Sequence, residues 1–223
     1  MEKKQEYSEP LLSFSLGCDW VSHELSRFLG ALNYLNNVFV LHDKLKNNTS
    51  YRLQRSQTRV HIYRNAHLYF YLDRKEELKI HKIHISSPGT LEFVLQNSNH
   101  AVMITAIILF LSRAPNIIEK WLTMWKKFKS ALREERRNGM IEKIEKKTNE
   151  FFTETILPKL KQDDIEISTS AIHNLHKAVI NFSKQKLADP ISAMDQILHS
   201  MVVIAHLKNT GKFNILKTDN KDG

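Results

Sequence analysis

The chain has 223 residues, of which 42% are apolar, enough for one large domain or two small ones with a core. Its formal charge of +9 favours anionic partners: nucleic acid, acidic protein or anionic lipid. Cys18 is the one cysteine, which excludes an intrachain disulfide and a cysteine-rich metal centre.

The first ten residues, MEKKQEYSEP, are charged, with no apolar stretch behind them. No signal peptide is read there, and a reducing, cytoplasmic setting is expected. Leu12, Phe14 and Leu16 alternate with small polar residues, which predicts a strand closed by Gly17. Asp19 is placed to cap a helix running to about Lys46. Along that helix Val21, Leu25, Phe28, Leu29, Leu32, Leu35 and Phe39 form an apolar stripe at helical spacing. Val60 to Tyr63 and Leu68 to Leu72 read as two strands turning at Arg64 and Asn65. Leu78 to Ile85 reads as another strand. Pro88 and Gly89 form a turn, and Leu91 to Leu95 continues or pairs with that strand.

Beyond residue 97 the pattern is helical. Ala101 to Ser112 is an apolar segment. Pro115 opens a helix whose apolar face carries Ile117, Ile118, Trp121, Leu122, Trp125, Phe128 and Leu132. Asn138 and Gly139 predict a break, after which helical spacing resumes through Ile141, Ile144, Phe151 and Phe152 to Pro158. Ser168, Thr169 and Ser170 are candidate N-caps for a helix to about Leu187. Asp189 and Pro190 open a last helix to about Leu207, and Phe213 to Leu216 suits a short strand. The expected fold is α+β: a strand–helix–strands part over residues 1–97, then an all-helical part over residues 98–223.

Two segments together resemble a module of small bacterial proteins of unassigned function. One is Asp19-Trp20-Val21-Ser22-His23-Glu24-Leu25 with Arg27-Phe28-Leu29-Gly30-Ala31-Leu32. The other is Ile83-His84-Ile85-Ser86-Ser87-Pro88-Gly89-Thr90-Leu91-Glu92-Phe93-Val94. In that module a strand ending in Ser-Pro precedes an apolar segment and then a charged helix, which here covers about residues 11–137. The resemblance implies a bacterial origin and a membrane-associated or defence-linked setting. It implies no activity and no catalytic residue.

Length limits the apolar segment. A span needs about 20 predominantly apolar residues, and extending Ala101 to Leu111 takes in Arg113, Asn116, Glu119 and Lys120. Each charge near a bilayer centre costs roughly 2.5–3.5 kcal/mol. A buried core helix or an interfacial segment fits better. The helix from Pro115 concentrates the charge. Between Arg113 and Lys147 eleven cations face five anions, so this stretch holds most of the chain's excess. Trp121, Trp125 and Phe128 on the other face make it a candidate interfacial helix. The same layout suits a bundle helix with solvated lysines. Lys126, Lys127, Lys129, Arg133, Arg136 and Arg137 are placed to neutralise phosphates, without a recognisable nucleic-acid motif beside them.

Chemistry is thinly represented. His173 and His176 are spaced to share a helix face, and His81 and His84 lie on opposite sides of a strand. Neither pair comes with the further ligands a zinc site needs. Arg55 and His61 have the spacing of the Arg/His pair in some helical ribonucleases, but in strand-like sequence. Ser86-Ser87 lacks a nucleophile elbow, no glycine-rich phosphate loop is present, and Asp163, Asp164 and Glu166 face no second acidic cluster.

The sequence therefore points to a non-enzymatic interaction or effector protein, with no cofactor expected. Its surface would be Lys120, Trp121, Trp125, Lys126, Lys127, Phe128, Lys129 and Arg133. The aromatics would insert or pack. The cations would meet an anionic membrane surface, on its inner face, or an acidic protein partner. The alternative is a small nucleic-acid-binding protein or ribonuclease.

Overall fold

Alternation puts Leu12, Phe14 and Leu16 on one face, and in the computed structural model all three are buried in strand β1 (Leu11–Leu16). The structure describes residues 11–17, 19–47, 78–84, 88–95, 97–113, 115–132, 137–156, 158, 166–184 and 190–216. The two strands expected between residues 60 and 72, and the Asp189 cap, lie outside these residues.

Helix α1 (Ser22–Asn47) follows β1. Asp19 does not cap it. That residue has φ 65°, and its carbonyl accepts a hydrogen bond from Lys212 Nζ at 2.6 Å. The helix instead begins after Val21, whose N–H reaches the Glu24 carboxylate at 3.4 Å. Val21 is accordingly 49% exposed, while Phe28, Leu32, Leu35 and Phe39 form the buried stripe, flanked by half-buried Leu25 and Leu29.

Strands β2 (Lys79–His84) and β3 (Gly89–Val94) are antiparallel partners. β3 pairs with β1 in the register Phe14↔Leu91. The chain then turns helical through α2 (Ser98–Arg113), α3 (Pro115–Leu132) and α4 (Arg137–Phe151). α4 ends in a π-helical turn, Phe152–Ile156. Helices α5 (Glu166–Lys184) and α6 (Pro190–Asn209) and strand β4 (Phe213–Ile215) complete the described chain. Two boundaries differ from expectation. Asn138 and Gly139 lie in the first turn of α4, and Ser168 to Ser170 lie inside α5.

The sheet order is β2-β3-β1-β4. β4 returns from the helical part to pair with β1, Phe14 opposite Ile215. Phe14 meets Phe28, Phe213 and Phe93 edge-on, at ring separations of 5.4, 5.4 and 6.0 Å. Sheet and helices thus share one core. Each such buried ring contributes roughly 1.5–3 kcal/mol by leaving water.

A Schellman ending of α6 makes that return possible. Lys212 N–H bonds the Leu207 carbonyl at 3.0 Å and Gly211 N–H the Lys208 carbonyl at 3.1 Å. Gly211 sits at φ +72°, the left-handed conformation this motif needs. The Lys212 carbonyl then accepts from Gly17 N–H at 2.8 Å and from the Trp20 indole at 2.9 Å.

The apolar segment is the buried middle of α2. Its Ile104, Ile107, Ile108, Phe110 and Leu111 are all buried, and α2 packs on α1, α5 and α6. No described helix is long and apolar enough by itself to cross a membrane. α2 and α3 together pass that test only as a pair bent by 95°.

Candidate functional site

Helix α3 carries seven of the eight residues singled out from the sequence, and it sorts them into two groups. Arg133 lies outside the described residues. Trp121 and Trp125 are 2% and 1% exposed. The expectation that they insert into a membrane or meet a partner is therefore corrected: their stripe, with Ile117, Ile118 and Leu132, is core. Trp125 donates its indole N–H to Asp195 Oδ1 of α6 at 2.7 Å. Trp121 packs on Phe151 with ring centroids 5.6 Å apart, and its indole nitrogen has no partner among the described residues.

Lys129 goes with the tryptophans. It is bound to both oxygens of Asp195, at 3.0 and 2.8 Å. This cation fastens α3 to α6 and has little left to offer an anionic partner. Lys120, Lys126 and Lys127 are exposed and make no ion pair within the described residues.

Lys120 and Lys127 rim an open groove of about 910 Å³ with Lys147 of α4. Met124 and Phe128, both half-buried, line the same groove, and among the described residues Glu119 is its one carboxylate. The spacing explains the arrangement. Residues 120, 124 and 127 or 128 recur at three and four positions, one stripe of the helix beside the buried one. Lys147 pairs with Glu150 at 3.0 Å, and Lys147 lowers the Glu150 pKa through that bond. The groove therefore presents apolar surface beside Lys120 and Lys127, with the Lys147 ammonium shared with Glu150.

The other candidates have no such geometry. His173 and His176 do share a face, with ring centroids 6.5 Å apart. His176 is 4% exposed and neither ring nitrogen has a partner among the described residues. Burial, helped by His173, depresses its pKa to about 4. Among the described residues no three His, Cys, Asp or Glu side chains are grouped to hold a metal. Arg55, His61, Ser86, Ser87, Asp163 and Asp164 lie outside the described residues.

One pairing was not visible in the sequence. His100 Nε2 lies 2.8 Å from Asp43 Oδ2, and its ring stacks on Phe39. Nδ1 is buried without a partner among the described residues, and none of these places a hydroxyl or thiol against it for the dyad to activate. Residues 57 positions apart leave no local signal.

Comparison of the chain with protein-family models, with curated proteins and with solved structures finds no match.

Proposed function

We propose that this chain is a non-enzymatic interaction protein whose α3–α4 groove receives an acidic amphipathic segment of a protein partner. The observation that carries the reading is the placement of Lys120, Lys127 and Lys147 around Met124 and Phe128. An amphipathic helix lays its apolar side chains on such a floor and aligns carboxylates with the rim. Charge complementarity of this kind raises the association rate and excludes cationic partners. The burial of Trp121 and Trp125 lowers the standing of a bilayer as the partner, because interfacial helices depend on exposed apolar anchors.

The test uses three probes against the full chain: a designed helical peptide with one acidic and one apolar face, vesicles rich in anionic lipid, and a short single-stranded RNA. Fluorescence anisotropy and vesicle flotation report binding. The expected result is peptide binding that weakens with salt and is lost in the Lys120→Glu, Lys127→Glu double variant. Binding of vesicles or RNA but not of the peptide overturns the reading in favour of that partner.

A further inference from the structure

We propose that the edge of strand β2 takes up an extended segment of a partner protein in which apolar and acidic residues alternate. This surface is separate from the α3–α4 groove and does not depend on it. β2 is an outer strand of the sheet and, among the described residues, pairs only with β3. All six of its residues are exposed, whereas β3 alternates between buried and half-buried. Such an edge presents backbone N–H and C=O groups to a strand laid beside it.

A bulge gives this edge two different sides. The register slips between Ile80 and Lys82, which leaves His81 without an opposite residue on β3. Residues three apart in a regular strand point to opposite faces. Here the extra residue turns Ile80 and Ile83 to the same face, opposite Phe93 and Leu91. Phe93 and Leu91 are buried in the shared core, but Ile80 and Ile83 are 47% and 41% exposed. The apolar face of the sheet thus runs on past its covered part. Lys79, Lys82 and His84 stand on the other face, in register with Val94, Glu92 and Thr90.

Charge selects the occupant. β2 carries no carboxylate, and Glu92 is the one acidic residue registered against it. Lysines on an edge oppose pairing with a second copy of the same strand, because like charges would meet. The same lysines attract a strand whose residues on that face are acidic. The added strand sets apolar side chains beside Ile80 and Ile83 and carboxylates beside Lys79 and Lys82. Backbone hydrogen bonds supply affinity, and the alternation supplies specificity.

The test adds a short capped peptide alternating valine and glutamate to the full chain. A peptide of the same composition, with its valines grouped before its glutamates, is the control. Fluorescence anisotropy reads affinity, and NMR-detected hydrogen exchange reads the β2 amides that point away from β3. The alternating peptide is expected to bind with a Kd of about 200 µM or tighter, and the grouped peptide at least about tenfold more weakly. Bound peptide should slow exchange of those amides about tenfold or more. N-methylation of all the valines or of all the glutamates blocks one peptide edge at a time, and only one of the two should abolish binding. Lys79→Glu, Lys82→Glu, on exposed side chains, should leave the melting temperature unchanged, abolish binding and create binding of a valine–lysine peptide. The proposal is overturned if the alternating peptide does not bind at about 5 mM, if the grouped peptide binds equally well, or if the two N-methylated peptides behave alike. It is also overturned if binding survives the β2 change and disappears in Lys120→Glu, Lys127→Glu. Slow exchange of those amides before peptide is added overturns it too, because another segment of the chain or a second copy then already holds the edge.

Discussion

Trp125 of α3 donates its indole N–H to Asp195 of α6 at 2.7 Å. The same carboxylate holds Lys129 one turn further along α3, at 2.8 Å. One aspartate thus turns a tryptophan and a lysine that look like surface anchors into a joint between helices. Asp195→Ala leaves a buried indole N–H unpaired and a half-buried ammonium alone. Urea denaturation should show a loss of about 1–3 kcal/mol, with Asp195→Asn losing less because an acceptor remains. A change below about 0.5 kcal/mol would mean that packing alone holds α3 in place.

Lys120 and Lys127 should behave in the opposite way. Both are exposed and neither joins an ion pair within the described residues. The double change to glutamate should leave stability within about 0.5 kcal/mol while removing binding of an acidic peptide. Wild-type binding should also weaken as salt shortens the range of the charges. Indifference to both changes would leave the lysines as a solvated face.

Acid should destabilise the fold through His176. Its folded-state pKa is about 4, against 6.5 for the free side chain, so the unfolded chain binds the proton more readily. The neutral ring's contribution is complete above about pH 6.5 and is lost as pH falls from there towards about 4. The full shift corresponds to about 3 kcal/mol. His42, whose pKa burial also lowers, acts in the same direction. Denaturation midpoints measured between pH 7 and pH 4 should fall for the wild type and fall less for His176→Leu. Equal slopes in the two proteins would show that His176 is not the group responsible.

The turn after α6 depends on two glycines. Gly211→Ala places a side chain at φ +72° and should cost roughly 1–2 kcal/mol. Gly17→Ala should cost more, because its Cβ would lie 2.7 Å from the Gly211 carbonyl oxygen, a backbone atom that cannot step aside. Thermal melts of the two variants check the order. If the Gly17 variant is the more stable, the close approach of β1 to this turn is not needed.

Much of the fold follows from local pattern. Alternating Leu12, Phe14 and Leu16 give β1, and the three-and-four spacing from Phe28 to Phe39 gives the buried face of α1. Pro115 and Pro190 begin α3 and α6, because a proline at the first helical position gives up no hydrogen bond. These signals are properties of neighbouring residues, so the sequence by itself determined an α+β chain with a helical second half. Tertiary structure decided which faces are covered. The partner of Trp125 is 70 residues away, and no spacing within α3 distinguishes a sealed aromatic stripe from an exposed one. The same limit applies to His100, whose partner Asp43 lies 57 residues away. Burial and pairing depend on segments distant in the chain, and that is why the surface residues of α3 could be named from the sequence but not sorted.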